Sequence, residues 1–241
     1  RYAMDIAGNK ALVFGGTSGI GLAAANRLQD GGATVVVFGR SDSNIATALT
    51  TLGNGARAIS ADVLDRDALT EIFEAEAPFD ILVNTATGGD RAMGPFLEMD
   101  LDGFQGSFRK LWGYTNTVHL GTRHLSEDGC IVLVSGAPAR KARPGNTSLS
   151  TVGNAVEGFV RAVAPEIAPR RINVVSPGII DTPMFPVRGE VRDEFLGKAT
   201  AGNLIKRAGT ADEVAHGILF AIENDFVTGT TVDVDGGMLL P

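Results

Sequence analysis

Residues 10–21 read Lys10-Ala11-Leu12-Val13-Phe14-Gly15-Gly16-Thr17-Ser18-Gly19-Ile20-Gly21, an apolar run that closes on a glycine-rich turn. The first five residues suit a strand covered on both faces, because such strands are apolar almost throughout. From Gly19 onward the apolar residues recur at helical spacing, which predicts a helix over 19–31. Three glycines in G-x-x-x-G-x-G spacing join strand to helix. They permit a tight turn and let the backbone lie close to a bound pyrophosphate. A helix start also presents unpaired N–H groups and the positive end of its dipole, both of which favour phosphate. Spacing, preceding strand and following helix together point to a dinucleotide-binding turn made by Gly15, Thr17, Ser18, Gly19, Ile20 and Gly21.

Outward from this turn the same alternation continues. Further strands are predicted at 34–38, 56–60, 80–84, 129–134, 171–175 and 230–234, with helices near 43–53, 65–77, 98–122, 146–168 and 209–223. Alternating β and α elements of this kind predict an α/β fold. The expected architecture is a doubly wound parallel sheet of about seven strands (a Rossmann fold), with right-handed crossovers putting helices on both faces. Ligands in such sheets bind beyond the carboxyl ends of the strands. The stretch 184–207 fits neither period and follows a strand end. It is read as a substrate lid or as a surface insertion.

Bulk properties bound the function. The 241 residues are expected to form a single domain over 5–241, with 44% apolar and 20% charged residues. A formal net charge of −7 argues against a nucleic-acid partner, which requires a basic footprint. No apolar run approaches the ~20 residues of a membrane-spanning helix, and no signal-like segment opens the chain. One cysteine, Cys130, suits a reducing compartment, so a cytoplasmic location is expected. His119, His124 and His216 show no metal-ligand spacing, and no metal site is expected.

The choice of dinucleotide turns on the end of the second strand, Val37-Phe38-Gly39-Arg40-Ser41. A carboxylate there would bond a ribose 2′-OH and repel a 2′-phosphate. Here Gly39 is followed by Arg40, whose planar donor fork and fixed charge suit a phosphate, with Ser41 adding a hydroxyl. NADP(H) is therefore the expected cofactor.

Gly15, Gly19 and Gly21 resemble the T-G-x-x-x-G-x-G motif of the classical short-chain dehydrogenase/reductase family, with Phe14 in place of its threonine. The resemblance runs to the end of the chain. It takes in Asp62-Val63 at the family's adenine contact and Asn84-Thr85-Ala86-Thr87 in place of N-N-A-G. It continues through Asn173 to Thr182, the segment beside the nicotinamide, and Thr228-Gly229 with Asp235-Gly236-Gly237 at the C-terminal end. It implies cofactor contacts from Asp62, Val63, Asn84, Ala86, Thr87, Pro177, Gly178, Ile180 and Thr182. It also implies a homo-oligomer, a dimer or tetramer, formed through helices 98–122 and 146–168 and the C-terminal strand.

At the catalytic positions the resemblance fails. The family uses a Tyr, a Lys four residues later, a Ser and a helix Asn. Anchored on Gly158-Phe159, Leu149 falls at the Tyr position and Gly153 at the Lys position, and 145–160 contains neither Tyr nor Lys. The Ser position falls on Gly136, next to Ser135, and the Asn position lies near Leu111 within Lys110–Tyr114. Ser135 is the candidate catalytic residue. Tyr114 reads as a buried phenol with a bonded hydroxyl or as a substitute acid, Trp112 as helix-interface packing or a substrate platform, and His119 as structural. The loop Ala139–Pro144, with Arg140, Lys141 and Arg143, is either a solvated basic loop or a site for an anionic group on the substrate.

Two functions stand at this point. The first is an NADP(H)-dependent oxidoreductase acting on a small carbonyl or alcohol through a non-standard proton relay. The second is a non-redox enzyme (isomerase or cyclase), or a nucleotide-binding protein, that kept the cofactor pocket.

Overall fold

The computed structural model describes residues 4–53, 55–87, 91–184 and 188–240. Strand β1 (Lys10–Phe14) leads into α1 (Gly19–Asp30), then β2 (Thr34–Gly39), α2 (Asp42–Leu52), β3 (Arg57–Ser60), α3 (Arg66–Glu76) and β4 (Phe79–Asn84). The second half contains α4 (Leu101–Ser107), α5 (Arg109–Gly121), β5 (Leu125–Val134), α6 (Thr147–Ile167) and β6 (Arg171–Pro177). It ends with β7 (Ile180–Asp181), α7 (Glu190–Thr200), β8 (Gly209–Thr210), α8 (Ala211–Glu223) and β9 (Thr231–Val234). Seven strands form one parallel sheet in the order β3-β2-β1-β4-β5-β6-β9, as the sequence predicts. The chain reverses its winding between β1 and β4, and the crevice at their carboxyl ends is the expected ligand position.

The sheet divides the core in two. On one face Ala24, Ala25 and Leu28 of α1 and Val214, Ile218 and Ile222 of α8 pack against Val13, Val35 and Val132. On the other, Leu69 and Phe73 of α3, Tyr114 and Val118 of α5 and Val156 and Val160 of α6 pack against Leu12, Phe38 and Ile131. Phe14 and Phe38 stack at 4.3 Å between centroids. Covering both faces is why the strands read as unbroken apolar runs.

Local chemistry starts the helices where it should. Asp65 caps α3 by accepting from the Ala68 amide at 3.0 Å. Thr210 and Glu213 form a reciprocal capping box at α8.

Two expectations need correction. The helix predicted over 98–122 is two helices that meet at Phe108. Gly103 and Gly106 both lie in the seven-residue α4, and each glycine weakens a helix by about 1 kcal/mol relative to alanine. The aperiodic stretch 184–207 contains α7, and residues 185–187 lie outside the described residues. Strands β7 and β8 pair at its two ends, Ile180 with Gly209 and Asp181 with Thr210. The excursion therefore leaves and rejoins the fold at one place. Arg192 of α7 ties it down by bonding Asp181 and donating to the Thr182 carbonyl at 2.8 Å.

Ile131 is fully buried in central strand β5, between Leu82 and Ile172. Replacing it with alanine should lower unfolding stability by about 2–5 kcal/mol, measured by urea denaturation, without changing the circular dichroism of the folded state.

Candidate functional site

The glycine turn is built as its spacing predicts. Gly15 has φ +74°, and a Cβ on it would stand 2.6 Å from Thr85 Oγ1. A Cβ on Gly21 would collide with the Gly15 carbonyl. Helix α1 can therefore begin directly above the β1–β4 crevice only with glycine at both positions. Ser18 caps α1 in extended backbone without a side-chain bond, and no acid occupies the first turn. The helix start thus offers N–H donors and a positive dipole end with no competing carboxylate, a donor set that fits a pyrophosphate. Thr182 reaches this turn from the far side of the crevice. Its Cβ and Cγ2 lie 3.9 Å from where a Cβ on Gly19 would be. The ends of the site implied by Gly15–Gly21 and by Pro177–Thr182 therefore meet in space.

At the end of β2 a Cβ on Gly39 would collide with the Thr17 side chain. This position holds no acid, and the turn leaves no room for one in its present form. Arg40 is 57% exposed and 3.9 Å from the Asp62 carboxylate. Ser41 caps α2, accepting from the Asn44 amide, and shares a 2.9 Å hydrogen bond with Ser43. Asp62 Oδ1 accepts from the Leu64 amide at 2.9 Å, while Val63 is buried against Gly113, and its carbonyl accepts from Asn116 at 3.0 Å. Asn84 is fully buried. Its Nδ2 donates to Thr117 Oγ1 and its Oδ1 accepts from the Ala86 amide, each at 2.9 Å. It shapes the turn that carries Ala86 and Thr87 and pins that turn to α5. Pro177 ends β6, and Gly178 continues the ladder by donating to the Val234 carbonyl at 3.0 Å. Ile180 is buried in β7.

The strand ends near the crevice present a different picture of catalysis. Ser135 lies just beyond β5, and its hydroxyl donates to buried Glu157 at 3.2 Å. Its carbonyl accepts from Lys110 Nζ at 3.2 Å. The hydroxyl is engaged away from any substrate in this arrangement. Tyr114 is fully buried, with its hydroxyl donating to the Val134 carbonyl at 3.0 Å. Burial raises its pKa above the usual phenol range, against the opposing effects of that bond and of Arg91. This is a structural tyrosine. Trp112 is 61% exposed, so it does not fill a core or an interface within this chain. On α6, Leu149 is half-buried, and a Cβ on Gly153 would come 2.8 Å from the Ala139 side chain. The helix packs so closely on the 3-10 turn Ala137–Ala139 that a lysine at 153 has no space.

The basic loop is largely spoken for. Arg140 pairs with Asp233 and, at 3.4 Å, with Glu157, and Asp233 raises its pKa further. Lys141 donates to the carbonyls of Met238 and Leu240. These two cations tie the loop after β5 to β9 and to the carboxyl end of the chain. Arg143 is exposed.

Sequence reasoning missed three groups: Lys110, Arg91 and Glu157. Lys110 stands in the very stretch singled out for the family's Asn, but nothing in its spacing shows that its ammonium reaches Ser135. Burial, followed by the positive charge of Arg91, pulls its pKa down to about 7.

Comparison with known proteins is consistent with this geometry. Residues 15–239 match the family described as Enoyl-(Acyl carrier protein) reductase. The short-chain reductase protein NovJ of Streptomyces niveus is 31% identical, covering 94% of this chain and 92% of NovJ. A small-chain dehydrogenase solved in complex with NADPH is 28% identical, with TM-score 0.82 over 97% of this chain and 99% of that one. A short chain oxidoreductase from Pseudomonas aeruginosa PAO1, described as containing an atypical catalytic center, is 26% identical, with TM-score 0.88 over 98% of each chain. The chain belongs to the short-chain dehydrogenase/reductase family. Among the described residues, no helix is long and apolar enough to cross a membrane.

Replacing Tyr114 with Phe leaves the Val134 carbonyl buried without its donor. The expected loss of unfolding stability is about 1–3 kcal/mol, read by denaturant titration, with cofactor binding unchanged. A loss of binding instead would give the phenol a functional role.

Proposed function

We propose that this chain is an NADP(H)-dependent oxidoreductase acting on a carbonyl or alcohol of a small molecule, by a proton path other than the family's Tyr-Lys pair. One observation carries the cofactor reading: the glycine-rich turn leads to a strand end where Gly39 lies beneath Thr17 and Arg40 stays 57% exposed, its nearest carboxylate being Asp62 at 3.9 Å. When bound, the dinucleotide supplies or accepts a hydride. The turn Gly15–Gly21 holds its pyrophosphate through backbone N–H groups. Arg40 and Ser41 hold the 2′-phosphate, with Asp62 and Val63 beside the adenine. Pro177, Gly178, Ile180 and Thr182, with Ala86 and Thr87, hold the nicotinamide end. The β7–β8 pair and Arg192 position α7 as a lid across that end.

The partners follow from the surface. We place the protein in the cytoplasm as a homo-oligomer, with no nucleic-acid or membrane partner. Leu97, Leu101, Trp112 and Phe226 are large apolar side chains left 61–100% exposed, and such residues mark surfaces that associate. Light scattering should give a mass of two or four chains. A single 25.1 kDa species at micromolar concentration would overturn the assembly.

A second reading is favoured by α6, which contains neither Tyr nor Lys and leaves no room at Gly153. On that reading the pocket serves an isomerase or cyclase, or a nucleotide-binding protein without redox turnover.

Fluorescence titration with NADPH and NADH tests the cofactor reading. Wild-type protein should bind NADPH more tightly, and Arg40→Gln should weaken NADPH binding by roughly 10–100-fold, as loss of a charge-assisted hydrogen bond implies, while leaving NADH unchanged. Equal affinity for both dinucleotides in wild type would refute it. NADPH binding without oxidation across a panel of aldehydes and ketones would favour the second reading.

A further inference from the structure

We propose that Lys110 is the proton donor and acceptor of this site, an inference that rests on the NADP(H) oxidoreductase reading above. The geometry begins with α5. Lys110 lies in its first turn, half-buried, and extends to the carboxyl edge of the sheet, where its Nζ is 3.2 Å from the Ser135 carbonyl. It also lies 5.6 Å from the ring centroid of Tyr114, one turn along the same helix. The ammonium therefore stands at the end of β5, beside the crevice. Among the described residues, the two hydroxyls nearest to it are engaged elsewhere. The Ser135 hydroxyl is bound to Glu157, the Tyr114 hydroxyl to Val134, and α6 carries Leu149 and Gly153 at the positions of the family's Tyr and Lys.

The surroundings suit an amine that exchanges protons. Among the described residues no carboxylate pairs with Lys110. From the segment before α4, Arg91 adds positive charge and contacts Met184 across the crevice. From its own helix comes the neutral Tyr114, and from β5 a neutral carbonyl. On α6, Glu157 is turned to Ser135, Arg140 and Arg161. Burial and a neighbouring cation both disfavour the charged form, which brings the amine to about 7, where a general acid works best at neutral pH.

The step balances. In reduction the carbonyl carbon gains the hydride that the dinucleotide supplies, and the carbon–oxygen π bond breaks toward oxygen. That oxygen takes a proton from the Lys110 ammonium. The substrate leaves as an alcohol, the dinucleotide is oxidised, and the neutral amine regains a proton from water. In the reverse direction the neutral amine takes the hydroxyl proton. Reduction should therefore slow as pH rises through about 7, and oxidation should slow as pH falls through it.

Two measurements test this on the intact protein. The chain has five lysines, so 13C-ε-lysine NMR resolves each amine, and Lys110→Met identifies the signal. One amine should titrate near neutrality and be missing from the variant, and titration of that amine above pH 9 would overturn the proposal. The second is NADPH oxidation with 4-nitrobenzaldehyde and ethyl acetoacetate as probes. Lys110→Met should reduce kcat by about 100-fold or more with NADPH affinity held within threefold. Lys110→Arg should fail equally, because a guanidinium keeps the charge but does not release its proton. Either variant with kcat within threefold of wild type overturns the proposal, as does wild-type protein that binds NADPH but turns over neither probe. Wild-type protein that binds no NADPH sinks the oxidoreductase reading itself, and the proton role with it.

Discussion

The first turn of α1 lies against the carbonyl of Gly15, and that approach exists because Gly21 has no Cβ. It brings the helix start to the point where β1 and β4 diverge, with Thr85 closing the other side. Once α1 is anchored there, its buried face sets its packing on β1, β2 and α8, and Arg27 locks the pair by bonding Asp212. The crevice is therefore a consequence of backbone contact. Side chains added at these glycines would push the helix off the sheet and dissolve the site with it.

The same reasoning explains why the catalytic region departs from the family pattern. Gly153 lets α6 settle onto Ala139, so the space a long side chain would need is filled with backbone and methyl groups. Below this contact buried Glu157 bonds Ser135 and pairs with the more exposed Arg140 and Arg161, and Arg140 extends the network to Asp233 on β9. A buried carboxylate requires such compensation. Residues that read in sequence as a catalytic serine and a basic substrate loop are thereby drawn into holding β5, α6 and β9 together. The cation at the crevice comes instead from α5, where no carboxylate among the described residues pairs with Lys110. Cys130 is fully buried, and burial pushes its thiol up to about 12.

Much of the fold was legible. Seven apolar runs became the seven strands of the main sheet, with ends shifted by a few residues, because a strand covered on both faces carries its burial in composition alone. The break at Phe108 was less visible, since Leu101, Leu111 and Trp112 continue a helical rhythm across it. The two-residue strands β7 and β8 leave no periodic trace, being defined only by pairing across nearly thirty residues. Helix α7 was missed for a related reason: most of its residues face away from the core, so they carry no apolar stripe.

What the sequence determined by itself was whatever is written locally: strand composition, the glycine turn, the family it belongs to, the missing acid at Gly39 and the missing Tyr and Lys on α6. Only the tertiary structure decided which side chains share a neighbourhood. Ser135 and Glu157 are 22 residues apart, Lys110 and Ser135 are 25, and Arg140 and Asp233 are 93. Whether an amine is solvated or sits beside a second cation in a crevice depends on those distances in space. The proton chemistry of this site is therefore a property of packing, while its phosphate chemistry is a property of one short stretch of chain.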